Sequence, residues 1–235
     1  MENFNNYFNL RNVNDFNYLN YKIPKYLAQI LPSNKNAKIL DIGCGFGFFL
    51  RELKKGGYLS IKGIDLSNQA IDFCLSQGLE VQRANIIDFA EQSAEKYELI
   101  VMSHVLEHIK KDEIIFTLKR IRNNLLDANG KLCLMVPNAQ SNTGSYWAYE
   151  DFTHTTLFTT GSIHYVLKSA GFNNIKFLDP NGTENSNIIL KLIKNTFLPL
   201  YKMKKNFWNK ITSSSFHRQS PEIFTFELKV LASSE

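Results

Sequence analysis

The chain opens on polar, asparagine-rich sequence and from Lys38 onward falls into short apolar runs separated by stretches of helical periodicity. The runs 38–42, 61–65, 80–83, 98–103 and 131–136 read as strands, being rich in Ile, Leu and Val and too short for helices. Leu99-Ile-Val-Met102 and Leu132-Cys-Leu-Met-Val136 are apolar at every position, which requires burial on both faces. Such strands alternating with helices predict a parallel sheet joined by right-handed crossovers, with helices on both sides. Ser67 to Gln77 reads as one of those helices, and Asp127-Ala-Asn-Gly130 as a turn in which Gly130 takes positive φ. Thr159, Thr160 or Ser162 caps a helix that runs to Ala170 and closes at Gly171. Ile175 to Leu178 is then a sixth strand. From Glu222 to Leu231, Ile223, Thr225 and Glu227 alternate with Phe224, Phe226 and Leu228, so a seventh, antiparallel strand is expected there.

Two segments fall outside this alternation. Tyr18, Tyr21, Ile23, Tyr26, Leu27, Ile30 and Leu31 fit a helix within residues 1–36, either a lid over a ligand or a plain packing helix. Between strands six and seven, Ile188, Ile189, Leu192, Ile193, Phe197, Leu200, Tyr201, Phe207 and Trp208 are interleaved with lysines, and Pro199 predicts a break into two helices. Residues 185–221 hold six lysines, Arg218 and no acid, so the rest of a chain of net charge +5 is slightly acidic. That local charge excludes a uniformly basic nucleic-acid binder. It leaves two readings of 185–212: an element for a membrane surface or anionic substrate, or a helix pair packed on the domain with solvated lysines.

A length of 235 residues and 44% hydrophobic content suit one large domain, 37–235, with the lead-in 1–36 and an insertion at 185–221. Cys44, Cys74 and Cys133 have no paired or metal-type spacing, which points to a reducing, cytoplasmic setting. No apolar run approaches the ~18 residues of a membrane span, so a soluble protein or one peripheral to the inner membrane face is expected.

The chemistry begins in Lys38-Ile-Leu-Asp-Ile-Gly-Cys-Gly-Phe-Gly-Phe-Phe-Leu50, where a buried strand runs into a glycine loop with an acid at the junction. In a dinucleotide site the glycines and a helix N-terminus cradle a pyrophosphate, which a carboxylate would repel. Asp41 therefore argues for a cationic ligand. Phe48 also occupies the place of the third glycine in G-x-G-x-x-G. Asp65 closes the second strand at the offset expected of an acid that accepts from both ribose hydroxyls, or else it caps the following helix.

Leu40-Asp41-Ile42-Gly43-Cys44-Gly45-x-Gly47 resembles the first motif of the class I S-adenosylmethionine-dependent methyltransferases. Arg83-Ala-Asn-Ile-Ile-Asp88 resembles that family's segment after strand three, and Tyr97 to His108 its fourth strand and following turn. The resemblance implies a Rossmann-like α/β fold with a seven-stranded, mostly parallel sheet and an antiparallel last strand. It implies S-adenosylmethionine as cofactor, with S-adenosylhomocysteine as product. It also implies a binding set of Asp41, Gly43, Cys44, Gly45, Gly47, Asp65, Leu66, Asn85 and Ile86, with Ser103 and His104 at the methionine end.

Asn138 to Thr159 follows strand five at the expected crevice and carries Trp147, Tyr149, Asp151 and His154. Trp147 and Tyr149 are candidates to touch the acceptor. His154 is either a general base whose tautomer Asp151 fixes across a turn, or a structural histidine in the loop. Its Asp-Phe-Thr-His-x-x-x-Phe-Thr run resembles methyltransferases of bacterial polysaccharide and capsule clusters, and Leu106-Glu107-His108 resembles quinone-biosynthesis methyltransferases. His108 is a further catalytic candidate. A metal is not expected, because one Glu-His pair offers too few donors.

The first expectation is O-methylation of a carbohydrate or sugar-linked acceptor, with lysines near the crevice binding any phosphate or nucleotide. The second is a quinone or other lipid-soluble acceptor met at the membrane, and the third a non-catalytic binder of the cofactor. Nucleic acid is not expected as substrate: Ser103-His104-Val105-Leu106 stands where amino-group methylases carry an Asn/Asp-Pro-Pro-Tyr motif.

Overall fold

The computed structural model describes residues 7–11, 20–184, 186–217 and 220–234. Seven strands form one sheet: β1 Ile39–Ile42, β2 Ile61–Asp65, β3 Val81–Arg83, β4 Tyr97–Ser103, β5 Leu126–Pro137, β6 Asn174–Phe177 and β7 Glu227–Ser233, in the order 3-2-1-4-5-7-6. The first five pair in parallel, whereas β7 runs antiparallel to both β5 and β6. The expected Rossmann-like sheet is therefore present.

Helices cover both faces, as the unbroken apolar runs require. Residues of β1 and β4 alternate between the two sides. Leu40, Ile42, Ile100 and Met102 pack on one face with Phe89, Leu118, Ile163 and Leu167 from α5 Ile86–Gln92, α6 Ile114–Arg120 and α8 Thr160–Ser169. Ile39, Leu99 and Val101 pack on the other with Leu27, Leu50, Leu53 and Cys74 from α2 Lys25–Ala28, α3 Phe48–Lys55 and α4 Asn68–Ser76. The remaining helices are α1 Tyr7–Leu10, α7 Gly144–Glu150 and α9 Ile188–Ile211. Strand order reverses at β1, with β2 on one side and β4 on the other, and a crevice opens beyond their carboxyl ends.

Four expectations are corrected. The helix over Tyr21 to Leu31 shrinks to α2, because Pro24 stands at its N-cap with extended ψ, and Tyr18 lies outside the described residues. Gly130 does not take positive φ; instead a Cβ there would lie 2.7 Å from the Tyr97 carbonyl, at an irregularity where β5 gains residues against β4. The seventh strand starts at Glu227 rather than Glu222, since 222–226 find no ladder partner. Pro199 does not break α9, which continues through it. The helix loses one bond to the Asn195 carbonyl, and Asn195 is exposed, so water can take that acceptor.

Candidate active site

Asp41, the last residue but one of β1, is buried to 5% exposure, and after Ile42 the chain turns through Gly43, Gly45 and Gly47 at φ of 72°, 50° and 69°. A Cβ at Gly43 would lie 2.2 Å from Val105 Cγ2, so no larger residue fits beneath the loop. Gly47 is glycine for another reason. A Cβ there would strike Leu79 and Cys74, so it serves the packing of α3 against α4 and does not line the crevice, contrary to its reading as a binding residue.

Asp65 Oδ2 accepts the Gly45 N–H at 2.9 Å while Oδ1 accepts that of Ser67 at 2.8 Å, so one carboxylate ties the glycine loop to the end of β2. Ser67, not Asp65, is the N-cap of α4, accepting from Ala70. Burial pushes the Asp41 carboxyl up to about 8, and the charge of Asp65 adds to it. Burial raises Asp65 as well, against the backbone donors of Ser67, Gly45 and Leu66. Two carboxylates in one dry corner favour a cation and repel a phosphate. Cys44, Leu66, Asn85 and Ile86 continue this wall. Asn85 Oδ1 caps α5 by accepting the Ile87 N–H at 2.8 Å.

Ser103 and His104 stand at the end of β4. His104 has φ 53°, and its ring bridges Glu107 Oε1 and Glu227 Oε2, each at 3.2 Å. Burial opposes its charge, but the two carboxylates outweigh burial and push His104 up to about 10. It lines the crevice as the cation of an ion cluster.

The opposite end holds His108, Asp151 and His154, as expected, but wired differently. His154 Nδ1 lies 2.7 Å from the Trp147 carbonyl, which can only accept, so that carbonyl and not Asp151 fixes the tautomer. Its Nε2 faces Asp151 Oδ2 at 3.6 Å and Glu107 Oε1 at 4.0 Å. Asp151 is instead the anchor of a relay. Thr153 Oγ1 donates its proton to Asp151 Oδ1 at 2.6 Å, so Thr153 Oγ1 in turn accepts the His108 Nδ1–H at 2.9 Å. That leaves the His108 lone pair on Nε2. Burial holds His108 below the ordinary histidine range. Tyr7 and Arg11 also bind Asp151, the tyrosine hydroxyl at 2.7 Å.

Glu107 is fully buried, and its Oε2 has no hydrogen-bond partner among the described residues. Glu107, His108 and His154 each place a ligand atom within 4.8 Å of the others, a spacing that could hold a metal ion. The expectation against a metal counted only the Glu107-His108 pair; folding supplies the third donor from a distant loop. Trp147 lines the crevice, its ring 5.3 Å from that of Phe226, whereas Tyr149 is 85% exposed and points away, so it is not a crevice residue. Tyr7, Arg11, Thr153 and Glu227 were missed by the sequence reading, because each reaches the site through a contact distant in sequence.

Apart from Gly47 and Tyr149, these residues border one crevice of about 1030 Å³ or touch a residue that does. The description of the methyltransferase-domain family matches residues 16–176. The chain belongs to that family. The ubiquinone biosynthesis O-methyltransferase of Coxiella burnetii is 31% identical over 91 residues, 36% of this chain and 38% of that protein. The chain thus spans well under half the length of such curated relatives. The S-adenosylmethionine-dependent methyltransferase of Archaeoglobus fulgidus shares the fold at TM-score 0.60 and 20% identity, over 84% of this chain and 86% of that one. The magnesium protoporphyrin IX methyltransferase of Synechocystis, solved with bound S-adenosylhomocysteine, does so at 0.51 and 12%, over 84% and 74%. The residues present fit S-adenosylmethionine: paired buried carboxylates suit its sulfonium and ammonium, and the side-chain-free loop at Gly43 and Gly45 leaves room for its close approach.

Proposed function

We propose that this methyltransferase O-methylates a carbohydrate or sugar-linked acceptor in surface polysaccharide biosynthesis. Asp41, Gly43, Gly45, Asp65, Asn85 and Ser103 hold S-adenosylmethionine, whose sulfonium supplies an electrophilic methyl group. His108 Nε2 takes the acceptor's hydroxyl proton as the new O–C bond forms. Thr153 and Asp151 keep His108 in the required tautomer, and the carboxylate opposes the charge that develops on the ring. Much of the rate comes from alignment of the two reactants in the crevice.

Residues 7–11 act as a lid: Phe8 packs on Phe46 of the glycine loop, with ring centroids 4.8 Å apart, while Tyr7 reaches Asp151. The Trp147–Phe226 wall suits the apolar face of a sugar. The observation that carries the reading is that a two-carboxylate cation site and a histidine base with its relay border the same crevice.

The orphan Glu107 oxygen supports a second reading, in which Glu107, His108 and His154 would hold a divalent cation whose Lewis acidity would make the acceptor hydroxyl easier to deprotonate. Turnover that survives exhaustive chelation decides for the base. The test of the function is methyl transfer, read by mass spectrometry, over nucleotide sugars, lipid-linked sugars and hydroxylated quinone precursors. Transfer to a sugar supports the proposal; transfer only to quinones, suggested by the Coxiella relative's name, replaces the acceptor. Cofactor binding with no transfer at all would return the chain to a non-catalytic binder.

A further inference from the structure

Helix α9 is amphipathic in the wrong sense for a packing helix. At about 100° per residue, Ile189, Ile193, Leu200, Met203, Phe207 and Ile211 fall on one stripe. Every one of them is exposed, between 48% and 66%, and no residue of the helix is buried. The opposite side, with Lys194, Leu198, Tyr201 and Lys205, is the half-buried one that meets the domain. Lys194 Nζ donates to the Gly182 carbonyl and to Ser186 Oγ, and Tyr201 bonds Asn142 and packs on Phe224. An apolar stripe on a helix of 24 residues facing outward needs a partner of its own.

We propose that α9 lies in the surface of an anionic lipid bilayer, its apolar stripe among the acyl chains and the lysines that border the stripe at the headgroups. Six lysines and no acid occupy residues 188–211. Lys204 and Lys210 stand on the borders of the stripe, where they meet phosphates once the stripe is immersed. Phe207 and Trp208 supply the aromatic residues favoured at a membrane interface. A second copy of the chain is a poor occupant, because stripe-to-stripe docking would bring Lys204 and Lys210 of both copies together with no acid on the helix to pair them. No helix of the described residues is long and apolar enough to cross a membrane, so α9 lies on the bilayer rather than through it.

Its place in the fold gives this docking a use. Asn142, the partner of Tyr201, leads into α7, which carries Trp147 of the crevice wall. Phe226 borders both the crevice and the smaller hollow lined by Lys194 and Leu198. Docking through α9 therefore brings the acceptor end of the crevice to the bilayer, where the acceptor of the proposed reaction would be lipid-borne. The docking itself does not depend on that reaction.

The experiment is flotation of the full chain with phosphatidylglycerol/phosphatidylcholine vesicles and with phosphatidylcholine alone, at low and high salt. Binding at least about tenfold tighter to the anionic vesicles, weakened by salt and accompanied by a blue shift in tryptophan emission, is expected. The triple variant Ile193→Ser, Leu200→Ser, Phe207→Ser should lose about tenfold or more. Lys204→Glu with Lys210→Glu should lose the anionic preference. Both variants alter exposed residues, and unchanged melting and S-adenosylhomocysteine binding verify the fold. Equal flotation of wild type and triple variant, or a wild-type dimer in solution that the triple variant abolishes, overturns the proposal. Cofactor binding and methyl transfer are read on the same preparations without vesicles, so failure of the enzyme reading stays separate from failure of docking.

Discussion

The two ends of the crevice are built by different means. At the cofactor end the shape comes from backbone: three left-handed glycines, a carboxylate one residue before the end of β1 and another ending β2 that accepts from the loop itself. Its parts are close in the chain. At the histidine end the shape comes from side chains gathered across long separations, with Tyr7 reaching Asp151 over 144 residues, His104 reaching Glu227 over 123 and His108 reaching Thr153 over 45. Damage to the first end should act through sterics and cost binding. Damage to the second should change chemistry while binding survives.

The sharpest break is Gly43→Ala. A methyl group against Val105 Cγ2 at positive φ should cost about 2–3 kcal/mol of stability and remove S-adenosylhomocysteine binding by about 100-fold or more, read by calorimetry and thermal melting. Next comes His108→Ala, which should spare cofactor affinity and lower turnover ~10² to 10⁴-fold if it is the base. His154→Ala should fall short of that, at about tenfold, since its Nε2 faces Asp151 and Glu107. If the His154 variant loses more than the His108 variant, the two roles are exchanged.

Two pH profiles sharpen the contrast. Because burial lowers His108, its ring stays neutral into mildly acid solution, and if it is the base the acid limb of kcat/KM should lie below the ordinary histidine value. His104 behaves oppositely: its value of about 10 in the fold exceeds the ordinary histidine value, so its contribution to stability is complete at acid pH and is lost as pH rises toward 10. The melting temperature should fall over that rise by about 2–4 °C at most, since the ring is partly exposed, and His104→Gln should flatten the slope. The smallest effect is expected of Tyr149→Ala. That exposed ring should change turnover by less than about twofold, and a larger loss would restore it to the acceptor site.

Much of the sheet was legible because strands buried on both faces leave unbroken apolar runs, and β2 was placed to the residue. The errors have particular causes. Period-two alternation from Glu222 misled because 222–226 alternate without a ladder partner. Pro199 was overweighted: on an exposed helix the lost bond falls to water. The apolar pattern from Tyr21 to Leu31 spans Pro24, which stands with extended ψ at the N-cap of α2 and so keeps the residues before it out of the helix. Asp151 and His154 were found as a pair but given the wrong bond, since a backbone carbonyl leaves no mark in the sequence as a hydrogen-bond partner.

The sequence by itself determined the alternation of strand and helix, the cationic character of the ligand at Asp41 and the glycines that admit it. Those are short-range consequences of hydrophobic period, backbone freedom and charge. Only the tertiary structure decided which histidine carries the relay, that Glu107, His108 and His154 converge, and that α9 turns its apolar stripe outward. These depend on which surfaces meet, and a helix has the same amphipathic pattern whichever side the fold happens to cover.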